Sequence, residues 1–314
     1  MTQKRIVLAG GSGFLGQSLA AVLLERGYEV VVLSRSPVGG PGPVRQVAWD
    51  GKTVGEWAKH LDGARAVVNL AGKSVNCRYT PENRREIDES RVNSVNAVGQ
   101  AILRCQQPPG VLVQAASLAL YGDPGDRWCH EASPRGEGFP AATCSLWEGA
   151  VNAIPTPRTR QVILRIGFAL GRNGGALGTL AKLAGWYLGG TVGSGRQYIS
   201  WIHLADLNQM FLWAIEREEV AGAFNATGPN PVPNAEFMRE LRHALRRPWS
   251  PPAPVWAIKI GSRLMGTEAS LALSGRRCAP QRFLEIGFPF RFPHLDEALK
   301  DLLSSADRKA DRDG

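Results

Sequence analysis

The stretch Gly10-Gly11-Ser12-Gly13-Phe14-Leu15-Gly16 constrains this chain more than any other, because of what flanks it. Before it, Arg5 to Ala9 (RIVLA) is a short apolar run of the kind that forms a parallel strand buried on both faces. After it, Leu15, Leu19, Val22 and Leu23 recur at helical spacing up to Arg26-Gly27, where glycine is free to take a left-handed cap. Glu29 to Leu33 is a second β-rich run, so the whole reads as a β-α-β unit. Within it Gly10, Gly13 and Gly16 stand as G-x-x-G-x-x-G. Gly10 permits the tight turn, Gly13 removes a side chain where a pyrophosphate meets the backbone, and Gly16 lets the helix pack closely on the strand. The free N–H groups and positive end of the helix then face the phosphates. Glycines alone are weak evidence; the strand before them and the helix and strand after them make a dinucleotide site the stronger reading over a bare glycine turn.

Cofactor choice is legible at the end of the second strand. A carboxylate there holds the ribose 2′-hydroxyl of NAD; this chain has Ser34-Arg35, where a guanidinium attracts a 2′-phosphate. NADP(H) is therefore expected over NAD(H), the plainer reading of Arg35 being a surface arginine. The rest of the chain continues the alternation. Strands are expected at Val44–Trp49, Ala66–Leu70, Val111–Ala115, Val162–Ile166 and Ala223–Ala226. Helices are expected at Glu82–Leu103, Phe139–Ile154 and Ala205–Arg217, with a Gly-rich loop over Gly167–Gly178. Ligands of doubly wound sheets lie beyond the carboxyl ends of the strands, which makes Leu70, Ala71 and Gly72 neighbours of the cofactor. After Gly228, Pro and turn residues become denser and Pro248 to Pro254 (PWSPPAP) reads as a rigid connector. The expected fold is α/β: a Rossmann doubly wound parallel sheet with helices on both faces, plus a smaller C-terminal substrate lobe. Residues 1–228 form the nucleotide-binding domain, with an insert at about 171–200 reaching the substrate cleft; 229–303 form the lobe and 304–314 a flexible tail.

Charge and cysteines narrow the partners. The net charge of +9 comes from scattered Arg and Lys without a nucleic-acid motif, so nucleic acid is not an expected partner. The five cysteines, Cys77, Cys105, Cys129, Cys144 and Cys278, include no C-x-x-C pair, which argues against a disulfide framework or a metal site. No spanning apolar run and no leader pattern stand out, so no membrane partner and a cytoplasmic setting are expected, as a monomer or a homodimer.

Further motifs carry a resemblance. They are GGSGFLG, NLAGKSV from Asn69, RREIDESRV from Arg84, SLALYGD from Ser117, SLWEGA from Ser145 and RIGFALGRNGGAL from Arg165. GSGRQYISWIHLAD from Gly193, PNPVPNAEF from Pro229 and PQRFLEIGFPF from Pro280 complete the series along nearly the whole chain. With these the sequence resembles the epimerase-family proteins of the atypical extended short-chain dehydrogenase/reductase group (39U type), often described as nucleoside-diphosphate-sugar epimerases. The resemblance implies NADP as cofactor. It implies contacts from the glycine turn (Gly10, Ser12, Gly13, Phe14, Leu15, Gly16), from Ser34-Arg35 and Leu70-Ala71, from Glu86 and Arg91 on the following helix, and from Phe168.

The superfamily's chemistry uses a Ser or Thr followed by Tyr-x-x-x-Lys, the lysine lowering the tyrosine pKa and holding the nicotinamide ribose. Ser117 occupies the serine place, with a backbone-bonded strand-end serine as the plain alternative. The Tyr-x-x-x-Lys is missing. Cys144 stands at the tyrosine place and Glu148 at the lysine place, on one helix face. Glu148 could accept ribose hydroxyls, but beside a thiol it favours the protonated thiol, and a small buried core thiol is the plainer reading of Cys144. Tyr121, Tyr79, Tyr198 and His203 are other proton donors to weigh. Arg196, Gln197, Ser200, Trp201 and His203 are expected to line a substrate pocket, with core packing the alternative for Trp201 and His203. The function expected is an NADP(H)-binding epimerase- or oxidoreductase-like protein acting on a small polar substrate, nucleotide sugars among the candidates. The alternative is a non-catalytic NADP(H)-binding sensor or regulatory protein.

Overall fold

A computed structural model describes residues 4–38, 42–172, 174–247 and 249–304. The tail expected to be flexible therefore lies, from residue 305 on, outside the described residues, as does Pro248 of the expected connector. Seven strands form one sheet: β1 Arg5–Ala9, β2 Glu29–Ser34, β3 Val44–Ala48, β4 Ala66–Asn69, β5 Val111–Ser117, β6 Arg160–Ile166 and β7 Gly222–Ala226. Their order is β3-β2-β1-β4-β5-β6-β7 and every neighbouring pair is parallel. Successive side chains of β1 divide between two cores. Ile6 and Leu8 pack with Leu19, Leu23 and Phe211, whereas Val7 and Ala9 pack with Val67, Val98 and Trp57. This division is why the strands read as unbroken apolar runs rather than alternating ones.

The helices follow from local signals. α1 (Phe14–Glu25) starts at Gly13 with no side-chain cap. α2 (Pro81–Arg104) has Thr80 as N-cap, its side chain accepting from the Asn83 N–H, and Pro81 at the first helical position, where the missing N–H costs nothing. α3 (Phe139–Asn152) packs with α2 on one face of the sheet, and α5 (Leu204–Glu216) with α1 on the other. The sheet order turns back between β1 and β4, so a crevice opens beyond their carboxyl ends.

One expectation is corrected. The run Gly167–Gly178 contains structure: Phe168–Leu170 pairs in parallel with Trp201–His203, and α4 (Gly175–Gly185) follows. A side chain at Gly167 would come within 2.4 Å of the Ser200 carbonyl oxygen, so this glycine serves a backbone crossing rather than a loop. Beyond the sheet, α6 (Asn234–Ala244) and the helix Leu295–Leu303 bury Phe237, Leu241, Leu299 and Leu302 against Leu170, Leu177 and Trp201. Two-residue ladders tie the C-terminal residues to the rest: Tyr198–Ile199 with Val232–Pro233, and Trp128–Cys129 with Arg277–Cys278. α7 (Val255–Leu264) buries none of its residues. Among the described residues, no helix is long and apolar enough to cross a membrane.

Candidate functional site

The crevice between β1 and β4 gathers the glycine turn and the β4 end. Gly10 has φ +72° and donates its N–H to the Leu33 carbonyl at 2.9 Å, while a side chain there would lie 2.7 Å from the Ala71 Cα. At Gly16 it would lie 2.4 Å from the Gly11 Cα and oxygen. Helix and turn thus touch backbone to backbone; the close approach expected of Gly16 toward the strand is instead toward the turn. Gly13 differs from both. The nearest atom to a Cβ there is the Gly10 oxygen at 3.9 Å, so the side of the turn facing the crevice is open. With α1 uncapped and no acid in its first turn, this is the arrangement that receives phosphate oxygens. Ser12 is exposed, and the Phe14 ring fills the space left by Gly171, Gly174 and Gly175. Leu15 packs against the core beneath.

The β4 end is held from behind. Asn69, fully buried, donates to Gln114 Oε1 at 2.9 Å and to Ser94 Oγ at 3.3 Å, and its Oδ1 accepts from the Ala71 N–H at 3.1 Å. The Leu70 N–H donates to the Ala9 carbonyl at 2.8 Å. Asn69, Gln114 and Ser94 escaped the sequence reading, although a polar residue closing the apolar run AVVN is a visible signal. At the β2 end, Ser34 Oγ lies 3.3 Å from Ser12 Oγ, and Arg35 is exposed. An open groove of ≈ 410 Å³ beside them is lined by Ser12, Gln17, Val32, Ser36 and Gln46.

α2 and α3 form the next wall. Glu86 pairs with Lys73, whose Nζ also donates to Asn83 Oδ1 at 2.8 Å; that lysine bond holds the Glu86 carboxyl below its usual range. Arg91 is buried, donates to the Lys73 and Ile87 carbonyls at 3.1 and 3.0 Å, and lies 4.8 Å over the Trp147 ring. A side chain at Gly72 would touch its guanidinium at 3.4 Å. Ser117 closes β5 with its Oγ accepting the Ala119 N–H at 3.1 Å, the backbone-bonded arrangement weighed as the alternative.

The Tyr-x-x-x-Lys positions are rewired. Glu148 is buried, and both its oxygens take hydrogen bonds from Arg165 Nε and Nη2, at 2.8 and 2.9 Å. This corrects the expectation that Glu148 turns to the ribose. Burial alone would lower the Arg165 pKa, but the bonds and charge of Glu148 more than offset it and hold it above the usual arginine value. Tyr121 accepts from Arg165 Nη1 at 2.8 Å and donates to Asn225 Oδ1 at 2.7 Å; burial pushes its phenol up to about 12. It is locked inside, not offered to a substrate. Cys144 is buried, and desolvation, with Arg91 opposing and Glu148 assisting, pushes its thiol up to about 11. It is a core thiol.

Beyond the β4 and β5 ends, C-terminal residues meet the earlier part of the chain. The Tyr79 N–H donates to Glu268 Oε2 at 3.2 Å and its ring meets Phe139 edge-on at 5.0 Å. Burial raises its pKa, so the phenol keeps its proton. Arg276 enters from the far side and donates to the Gly122 carbonyl at 3.1 Å. The sequence pattern carried no mark of Arg276. Of the expected pocket residues, Arg196 is exposed, and Gln197 donates to the Val192 and Ala272 carbonyls at 3.0 and 3.1 Å. Ser200, Trp201 and His203 are corrected: all three are buried and committed to packing. Ser200 Oγ donates to the Arg276 carbonyl at 2.8 Å, Trp201 Nε1 to the Asn230 carbonyl at 2.9 Å, and His203 caps α5 by accepting the Ala205 N–H at 3.1 Å. Phe168 meets Phe237 edge-on at 5.8 Å. Tyr198 lies 4.8 Å beneath the Arg277 guanidinium. Among the described residues, no group of three or more His, Cys, Asp or Glu could hold a metal ion.

His203 yields a pH prediction. It stacks on Phe292 at 3.9 Å with Nε2 3.3 Å from Asp301, and burial, against the pull of Asp301 and Asp206, holds its pKa below the usual 6.5. The unfolded chain takes up that proton first. The contribution is therefore full above pH 6.5 and is lost as pH falls from 6.5 toward the folded value. Buried His60 has the same sign, while Asp206, raised by burial, has the opposite one. The melting midpoint should fall between pH 7.5 and 5.5 (roughly the window of an ordinary histidine). His203→Asn, which keeps a cap acceptor, should shrink that fall in a thermal melt series; an unchanged slope would reject the assignment.

Comparisons with known proteins agree with this architecture. The NAD dependent epimerase/dehydratase family matches residues 6–226, and a domain of unknown function (DUF1731) matches residues 253–302. The epimerase family protein YfhF of Bacillus subtilis is 32% identical over 315 residues, 97% of this chain and 99% of that protein. The crystal structure of human epimerase family protein SDR39U1 (isoform 2) with NADPH is similar at TM-score 0.86 and 34% identity, covering 96% of this chain and 99% of that one. A nucleoside-diphosphate sugar epimerase from Corynebacterium glutamicum is similar at TM-score 0.77 and 27% identity, covering 99% of this chain and 62% of that one.

Proposed function

Because the chain belongs to the NAD dependent epimerase/dehydratase family, in its SDR39U1-like atypical extended branch, we propose that it binds NADP(H) across the β1/β4 crevice and serves an oxidoreductase or epimerase reaction on a small polar substrate. The observation that carries this is the open face of Gly13 at the uncapped start of α1, with Arg35 and no carboxylate at the β2 end. Gly10, Ser12, Gly13 and the first N–H groups of α1 at Phe14, Leu15 and Gly16 would hold the pyrophosphate. Ser34 and Arg35 would hold the 2′-phosphate, and Leu70, Ala71 and Gly72 would flank the far half, with Arg91 and Phe168 behind. The nicotinamide, once bound, supplies hydride transfer. The chain's own share is to hold the substrate and manage a proton where the β4 and β5 ends meet the C-terminal residues. Ser117 and the protonated Tyr79 phenol are the groups assigned to that proton, and Arg276 and Arg196 to an anionic part of the substrate. Residues 1–228 then act as the nucleotide-binding part and 229–303 as the lobe over the cleft.

A fluorescence titration of the full chain with NADPH and NADH tests this. NADPH should bind more tightly. Arg35→Glu should weaken NADPH by about tenfold to 100-fold, the worth of one charge-assisted contact, and leave NADH little changed. Equal binding of both dinucleotides by the unaltered chain would remove the 2′-phosphate argument.

A second reading, a non-catalytic NADP(H)-binding sensor, is favoured by the Glu148–Arg165 pair, which puts a structural ion pair where the superfamily keeps its lysine. Steady NADPH oxidation with a carbonyl panel, abolished in Ser117→Ala, would exclude it.

A further inference from the structure

Cys129 and Cys278 lie far apart in sequence and side by side in the fold. In the ladder of Trp128–Cys129 with Arg277–Cys278, Cys129 is the direct partner of Cys278. Paired strands run about 4.8 Å apart, within the Cα separation that a disulfide spans. Both are buried thiols that share one apolar cluster with Leu118 and Tyr121. The surrounding backbone is fixed from two directions: the Cys278 N–H donates to Ser200 Oγ at 2.9 Å, and the Ala279 N–H to the Cys129 carbonyl at 2.9 Å. Cys129 Sγ lies 4.0 Å from the Arg127 carbonyl oxygen. The neighbouring Cys278 thiol, helped by Arg127 and Arg276 and opposed by burial, brings the Cys129 thiol down to about 7, while burial, with Cys129 assisting, raises the Cys278 thiol and keeps its proton in place. Cys144, by contrast, is pushed up to about 11, and Cys105 is raised by burial.

We propose that Cys129 and Cys278 are a reversible dithiol–disulfide pair, a redox modification site that staples the segment after β5 to the C-terminal residues. With hydrogen peroxide as oxidant, the Cys129 thiolate attacks one peroxide oxygen; the O–O bond breaks, leaving a sulfenic acid on Cys129 and hydroxide. The Cys278 sulfur then attacks the Cys129 sulfur, the S–S bond forms, and the sulfenic oxygen leaves with the Cys278 proton as water. The hydroxide takes the proton that Cys129 gave up. In sum two thiols and one peroxide give one disulfide and two waters, and a dithiol reductant reverses the step. Oxidation fixes the chain two residues from Arg276, whose guanidinium donates to the Gly122 carbonyl. This inference does not depend on the nucleotide reading.

The test is mapping on the full folded chain. It is treated with hydrogen peroxide, alkylated under non-reducing denaturing conditions, digested and read by mass spectrometry. The expected product is an intramolecular Cys129–Cys278 peptide pair on a monomeric species, released by dithiothreitol. A reversible rise of the melting midpoint by roughly 5 °C should accompany it and be missing in Cys278→Ser. Should that variant not fold, mapping of the unaltered chain decides alone. Oxidation confined to Cys77, or sulfinic acid on Cys129 with Cys278 still free, overturns the proposal.

Discussion

Arg165→Met should cost about 3–5 kcal/mol of folding stability, because it strands a buried carboxylate. Glu148 is 3% exposed and receives both of its side-chain bonds from this one guanidinium. The same substitution removes the donor to Tyr121 and to the Glu131 carbonyl, the latter at 2.9 Å. Removing both charges is a different matter. Arg165→Met with Glu148→Leu should regain most of the loss, since a buried ion pair and an apolar pair of similar volume are often comparable in stability. Urea unfolding followed by tryptophan fluorescence separates the cases. A single variant that loses less than about 1 kcal/mol, the scale of a surface pair, would show that Glu148 finds another partner or is protonated at little cost.

The second large effect divides two glycines of one motif. Gly10→Val places a β-branched residue at φ +72° with its Cβ 2.7 Å from the Ala71 Cα, so backbone must shift at the crevice. Strain of about 1–3 kcal/mol is expected in the fold, together with loss of NADPH binding. Gly13→Ala meets no atom nearer than 3.9 Å. Its melting midpoint should stay where it was, yet its methyl fills the open side of the turn. NADPH affinity should then fall on the order of 100-fold, about 2.8 kcal/mol. Calorimetric melts beside NADPH titrations read both quantities. A Gly13→Ala protein that binds NADPH normally would move the phosphates away from this turn and sink the cofactor assignment.

The parts of the molecule that announced themselves in sequence are those governed by local repetition. β1, α1 and β2 follow from apolar runs and one glycine spacing, and α2 from Thr80-Pro81 and its amphipathic length. Ladders of two residues, such as Trp128–Cys129 with Arg277–Cys278, have no period to detect; they exist because distant segments meet. The same holds for side-chain roles. Asn69 and Gln114 support the crevice from 45 residues apart, and Arg276 reaches Gly122 across 154. Ser200, Trp201 and His203 looked like a polar, aromatic pocket lining because composition does not reveal direction, and the fold turns them inward. Glu148 aligned with a lysine position, but only three dimensions show that Arg165, one strand away, claims it first. Where the sequence departs from the superfamily's catalytic pattern, the substituted residue is held in a buried ion pair.

α7 has a thermodynamic consequence of its own. It has no buried side chain, and Trp256, Ile260 and Leu264 remain 67%, 54% and 83% exposed. Displacing it forfeits almost none of the apolar burial that makes the sheet and its two cores cooperative. The lobe thus contains a unit whose excursions are energetically separate from global unfolding. Its opening equilibrium is set locally, while the seven-stranded sheet keeps its full stability.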